Sequence, residues 1–259
     1  MDPESILRLF FGLSNRLNSP KRTRPRLVLN QHIWYYIRMS RNIIFSIDEF
    51  YHIYNRGTEK RIIFLDEYDN NRFTLLLYLC NCPDRVDLSD LLRQGLSLHE
   101  IFKEERIDTL VDIGAWCLMP NHFHLLIKEK MENGVAIFMQ KLLTSYSMYF
   151  NFKYHRKGSL FEGPFKARHL DYDQYLKYQF TYIHLNPIGI IDSGWKEKYI
   201  EDKKKAKIFL EEYRYSSYLD YSGQGRSEGN ILNREAFPEY FETVLDFNKM
   251  VDEWINFSE

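Results

Sequence analysis

The stretch Met119-Pro120-Asn121-His122-Phe123-His124-Leu125-Leu126-Ile127 constrains this 259-residue chain more than any other. Two histidines flank one bulky apolar residue, and Leu-Leu-Ile follows, which reads as a strand. Alternate side chains of a strand point to one face. His122 and His124 therefore point one way, and Phe123 and Leu125 point into the opposite layer. Trp116-Cys117-Leu118 forms a second apolar run just upstream, and Pro120-Asn121 between the two runs is a turn signal. The local expectation is a hairpin whose return strand starts with paired histidines. Two imidazoles side by side on a sheet form half of a divalent-metal site, which needs a third ligand from elsewhere and open positions for substrate. On the spacing alone, two surface histidines are the commoner reading, and the hairpin context is what favours a site.

The flanking patterns supply the rest of an α+β fold. Glu49 to Gly57 alternates polar and apolar residues and ends in Asn-Arg-Gly, a strand with a turn. Asp66 to Cys80 has apolar residues at helical spacing, with acids near its start, and predicts a helix. Ile107 to Leu118 and His122 to Lys128 predict the hairpin. Gly134 to Tyr154 predicts a long helix with Met139, Leu142, Leu143, Tyr146 and Phe150 on one face. Asn151 to Arg168 predicts a polar loop with a strand-like centre, and Asp171 to Asn186 a helix stopped by Pro187. This order matches a ferredoxin-like sandwich, an antiparallel sheet with helices on one face. Residues 211–223 and a helical pattern from Phe237 to Phe257 add a C-terminal helical extension. Residues 83–105, with Leu88, Leu91 and Leu92 marking a short helix, read as an insertion, and residues 224–259 as a helical tail.

Charge bears on the choice of partner. The formal net charge is −1, so nucleic acid cannot be recognised through a global basic field, and any such site must be a local patch. A patch is present: Lys153, Arg156, Lys157, Lys166 and Arg168 cluster with a single acid, Glu162, and with Phe161 and Phe165 interleaved. Basic and aromatic residues on one loop suit single-stranded nucleic acid; a solvated loop is the alternative. Cys80, Cys82 and Cys117 lack the spacing of a zinc knuckle or a disulfide framework and read as reduced thiols of a cytoplasmic protein. No apolar run approaches the length of a membrane span. Residues 1–38, with the basic, proline-punctuated run Asn18 to Arg26, differ in composition from the rest and read as an N-terminal extension.

Met119 to Ile127 resembles the histidine-hydrophobic-histidine (HUH) motif of single-tyrosine transposases, and within them the branch called REP-associated tyrosine transposases. The resemblance extends to Tyr51-His52-Ile53-Tyr54-Asn55-Arg56-Gly57, Gly158-Ser159-Leu160-Phe161-Glu162-Gly163 and Tyr182-Ile183-His184-Leu185-Asn186-Pro187. These segments occur in the family's order and span roughly residues 39–223, which sets the expected domain. The resemblance implies an endonuclease and strand transferase that cleaves and rejoins single-stranded, hairpin-associated DNA through a 5′-phosphotyrosine. Composition cannot choose among 19 tyrosines; the family pattern Tyr-Ile-x-x-Asn-Pro points to Tyr182 as nucleophile. The family also carries an amide at the offset of Asn186, one helical turn on, which implies a metal set of His122, His124 and Asn186 for Mg2+ or Mn2+.

Arg56, Arg156, Lys157, Lys166 and Arg168 are the expected DNA contacts, although Pro164 stands where related sequences often have arginine. Tyr175 and Tyr178 share the face of Tyr182 and read as packing aromatics. His52, on the first strand, fits either a place beside the metal or a structural role. The expected partner is single-stranded or hairpin DNA, with no membrane, and the resemblance leaves open whether a monomer or a homodimer builds the active site. The alternative function is a DNA hairpin-binding protein without turnover.

Overall fold

A computed structural model of the chain describes residues 43–84, 91, 94–106, 108–196 and 200–256. The expected extension at residues 1–38, and Leu88 and Leu92 of the insertion, lie outside the described residues. The elements are β1 (Phe50–Arg56), α1 (Glu67–Leu79), α2 (Leu98–Ile101), β2 (Val111–Met119), β3 (His122–Glu129), α3 (Gly134–Lys153) and β4 (Lys166–His169). They are followed by α4 (Asp173–Leu185), α5 (Ile188–Ile191), α6 (Lys203–Glu212), α7 (Tyr218–Tyr221) and α8 (Val244–Asn256).

The strands form one four-stranded sheet in the order β2-β3-β1-β4, every pairing antiparallel. With α1 and α3 this is the strand-helix-strand-strand-helix-strand arrangement of a ferredoxin-like sandwich. The α1 helix starts because Asp66 accepts a hydrogen bond from Asp69 N at 3.0 Å. The start of α3 is capped from the sheet: the buried Glu129 carboxylate accepts from Gly134 N at 3.1 Å and Val135 N at 3.0 Å. Gly134 is required there, since a Cβ would stand 2.1 Å from the Leu110 carbonyl oxygen. The centre of the stretch 151–168 is strand-like in that Phe161 bridges Gly57 antiparallel, and the strand proper, β4, sits at its end. His155, Gly158 and Gly163, all at positive φ, turn the chain repeatedly before Lys166.

Both sheet faces are covered. On one, Tyr51, Ile53, Leu118, Phe123, Leu125 and Ile127 pack against Phe73 and Leu77 of α1 and Phe138, Leu142 and Tyr146 of α3. On the other, Ala115, Cys117, Met119 and Leu126 pack with Leu176, Phe180 and Ile183 of α4 and Phe247, Met250 and Val251 of α8. The two sandwich helices thus share one face, as the sequence predicts, and α4 together with the C-terminal extension supplies a third layer. The extension also covers an edge that would otherwise be open to further pairing. Leu118 N donates to Tyr215 O, and Ser217 N to Trp116 O, each at 2.9 Å, along the outer side of β2.

The helix predicted to stop at Pro187 ends at Leu185, yet the backbone does not leave the helical region. Asn186 has φ −54°, ψ −36° and Pro187 has φ −56°, ψ −25°, and the chain runs directly into α5. A proline is tolerated at the opening of a helix because its missing N–H would have no partner there.

Candidate active site

Strand register decides which side chains share the histidine face. His122 pairs with Arg56, His124 with Tyr54 and Leu126 with His52 across β3 and β1. On the other side of β1, Lys166 pairs with Tyr54 and Arg168 with His52. One face therefore carries His122, His124, His52, Tyr54, Arg56, Lys166 and Arg168. The α4 helix crosses this face and sets the Tyr182 ring edge-on to His124, with centroids 5.7 Å apart at 85°. The His52 ring is 6.2 Å from Tyr182 at 75°.

Hydrogen bonds orient the imidazoles. Asn121 donates through Nδ2 to Lys60 O at 3.1 Å, which fixes its amide with Oδ1 toward the 2.6 Å contact with His122 Nδ1. A carbonyl oxygen only accepts, so Nδ1 of His122 carries the proton and Nε2 keeps its lone pair. His124 Nδ1 lies 2.8 Å from His52 Nε2, so one proton is shared along that line and His124 Nε2 is left facing away from it. His52 and His124 are 7% and 6% exposed. His52 also stacks on Tyr54, centroids 5.0 Å apart.

All three rings are held neutral at physiological pH. Burial, then the charges of Lys196 and Arg56, lowers His122 to about 4. Burial, then Arg168 and Lys196, lowers His52 to about 3. Burial, then the neighbouring His52 and His122, takes His124 well below the ordinary range. Neutral imidazole is the form that can donate a lone pair to a metal.

Tyr182 is half-buried and sandwiched. Tyr178 stacks on one side (6.2 Å, 20°) and Trp195 on another (6.2 Å, 26°). Lys196 Nζ donates to the Tyr182 hydroxyl at 2.5 Å. Asn186, one turn on, is 1% exposed, and its Nδ2 is buried without a hydrogen-bond partner.

The expected residues separate into two groups. His122, His124, Tyr182, Lys166 and Arg168 belong to one side of the sheet. Arg156 and Lys157 follow the end of α3, the helix that packs on the opposite face; Arg156 donates to Asn151 Oδ1 at 2.9 Å. Arg56 is on the histidine face but is engaged by Glu162, Nη2 to Oε2 at 2.8 Å. Tyr175 packs into the second cluster with the Arg168 guanidinium 4.5 Å over its ring. His184 points away from the site, with Nδ1 donating to Phe180 O at 3.0 Å and Nε2 against Ser217 Oγ at 2.8 Å. Lys153, part of the basic cluster in sequence, is buried against Asp66 and Asp69.

Sequence reasoning missed Lys196 and Trp195 altogether. For Tyr54 a signal was present, since His52, Tyr54 and Arg56 alternate along β1 as His122 and His124 do along β3. Among the described residues, no group of three or more His, Cys, Asp or Glu side chains is disposed to hold a metal ion.

Residues 89–186 match the family model described as transposase, IS200-like. A solved structure of a REP-associated tyrosine transposase bound to a REP hairpin is similar at 11% identity, with 72% of this chain and 87% of that chain covered and a TM-score of 0.43. No curated protein matches. Residues 89–186 hold both histidines of the hairpin, the Tyr182 helix and Asn186 in order, and over these residues the chain is similar to the IS200-like transposases.

Proposed function

We propose that this chain cuts and rejoins single-stranded, hairpin-associated DNA through a covalent 5′-phosphotyrosine on Tyr182, with a divalent metal, Mg2+ or Mn2+, held by His122, His124 and Asn186. The observation that carries this reading is the Tyr182 ring set against His124 at 5.7 Å, beside two neutral imidazoles on one sheet face.

The donor set fits a divalent ion. Asn121 leaves Nε2 of His122 unprotonated, and a proton on Nδ1 of His124, donated to His52, does the same for His124. The Asn186 amide has a buried, unpartnered Nδ2, and a half-turn of the amide exchanges nitrogen for oxygen. When bound, the metal polarises the phosphate oxygens and neutralises their charge.

The protein's own part is attack and restraint. The Tyr182 oxygen forms a bond to phosphorus while the bond from phosphorus to O3′ breaks. The phenol proton passes to water, and O3′ takes a proton from water to become a free 3′-hydroxyl. Rejoining reverses these steps. One phosphodiester is exchanged for another at each stage, so no nucleotide hydrolysis is needed. Lys166 and Arg168 hold the backbone of the strand in this reading, which is supported by their register on the histidine face.

The test is the Tyr182→Phe variant on labelled hairpin oligonucleotides with single-stranded flanks. It should bind DNA and form no adduct on a denaturing gel, and peptide mass spectrometry of the wild-type adduct should place DNA on Tyr182. An adduct on Tyr175 or Tyr178 would refute the assignment. Binding without any wild-type adduct would favour a hairpin-binding protein without turnover.

A further inference from the structure

The segment after α5 folds back over Tyr182. Trp195 N donates to Asp192 O at 3.5 Å, and the Asp192 carboxylate accepts from Gly194 N at 3.1 Å and Glu201 N at 3.3 Å, which gathers the loop. Trp195 reaches the Tyr182 ring by passing Gly189. Its Nε1 stands 3.1 Å from where a Cβ at that position would be, so a larger residue there would press on the indole. The result is that Lys196 sits with Nζ 2.5 Å from the Tyr182 oxygen and 4.5 Å from the ring centroid. Among the described residues no carboxylate pairs with Lys196. Its charge also reaches His52, His122 and His124.

We propose that Lys196 is a catalytic residue whose ammonium group stabilises negative charge on the Tyr182 oxygen in both directions of the reaction. This rests on Tyr182 being the nucleophile. During cleavage the Tyr182 oxygen must lose its proton to water as it bonds to phosphorus. A hydrogen bond from an ammonium group favours the anionic oxygen over the neutral one. During rejoining the bond from phosphorus to the Tyr182 oxygen breaks, and the electron pair leaves on that oxygen as phenolate. The ammonium is then already in place as its partner, with no reorganisation at the moment of bond breaking. Lys196 keeps all its protons throughout; water takes the phenol proton in one direction and returns it in the other. An arginine preserves the charge with a different donor geometry, whereas methionine keeps the length and apolar stem and removes both charge and donor.

The experiment uses the full chain and, from a pool of labelled hairpin oligonucleotides with single-stranded flanks, the one that the wild type cleaves fastest. Single-turnover adduct formation at saturating DNA is measured beside DNA affinity. K196M should slow adduct formation on the order of 10²-fold, the loss seen when one pre-placed donor to a developing anion is removed, with DNA affinity unchanged. K196R should recover part of the rate. K196C should be as slow as K196M and regain rate once treated with 2-bromoethylamine, which rebuilds an ammonium group at the same reach; comparing one preparation before and after treatment separates chemistry from misfolding. Wild-type adduct rates in K196M would overturn the proposal. So would weakened binding with an unchanged rate at saturation, which would make Lys196 a phosphate contact. The nucleophile assignment is checked separately: an adduct formed by Tyr182→Phe refutes that assignment, whereas its absence alongside a fully active K196M refutes only the role of Lys196.

Discussion

His52 Nε2 and His124 Nδ1 meet at 2.8 Å across neighbouring strands, both rings buried. A hydrogen bond on one ring nitrogen decides which form the other nitrogen takes. If His124 binds metal through Nε2, His52 holds the required tautomer from behind. His52→Ala should therefore weaken Mn2+ binding by roughly 10–100-fold, the usual effect of losing such an outer partner. His122→Ala and His124→Ala should each abolish metal-dependent cleavage while leaving hairpin binding largely intact. Titration of Mn2+ by electron paramagnetic resonance reads the first, and cleavage and gel-shift assays the others. Unchanged Mn2+ affinity in His52→Ala would reduce that residue to packing.

Lys166 and Arg168 share the histidine face, whereas Arg156 and Lys157 follow the helix behind the sheet. Replacing Lys166 and Arg168 with alanine should weaken single-strand binding and flatten its dependence on salt by up to about 0.7 of log–log slope per lost contact. The Arg156 and Lys157 pair should change the slope less. Affinities measured across a salt series compare the two double variants, and equal slopes would contradict the division made by the sheet.

Lys153 looks like one more cation of the basic cluster, but its Nζ lies 2.7 Å from Asp69 Oδ1 and 2.8 Å from Asp66 Oδ1. The Asp69 side chain is fully buried. Lys153→Met would strand that carboxylate without its cation, a loss of about 3 kcal/mol, the lower end for a broken buried pair because Tyr149, Tyr154 and Leu65 N still donate to Asp69. Urea denaturation should show that drop, and DNA affinity of the folded variant should stay at the wild-type level.

Acid should destabilise the metal-free protein through its buried histidines. Burial lowers His184 to about 3, with the Phe180 carbonyl opposing and Arg234 adding to the effect. In the unfolded chain an imidazole titrates near 6.5, so between that value and the folded one the unfolded state binds more protons. Stability should hold above about pH 6.5 and decline as pH falls below it, continuing toward about 3. His52 and His122 act in the same direction. Urea midpoints at a series of pH values test this, and His184→Gln should flatten the slope.

The hairpin was readable because period-two alternation is local. Phe123 and Leu125 did go into the layer opposite His122 and His124, where α1 and α3 cover them. The proposal of Tyr182 comes from resemblance, since nothing in the sequence of its own helix distinguishes it from Tyr175 or Tyr178. The bond from His52 to His124 joins residues 72 apart and depends on strand register, which a sequence pattern does not state. Lys196 reaches Tyr182 only because the backbone stays helical through Pro187 and then reverses. Lys153 misled for a related reason: its partners come from the start of another helix, 84 and 87 residues earlier.

The helix bearing Tyr182 is anchored along its inner side. Leu176, Phe180, Ile183 and His184 are all buried, and α8 packs behind them. Moving the phenol by more than a side-chain rotation would pull these groups into water, at the expense of a whole core cluster. The scaffold is thus an anvil: the packing that closes the third layer is the same packing that sets the phenol over the histidine face.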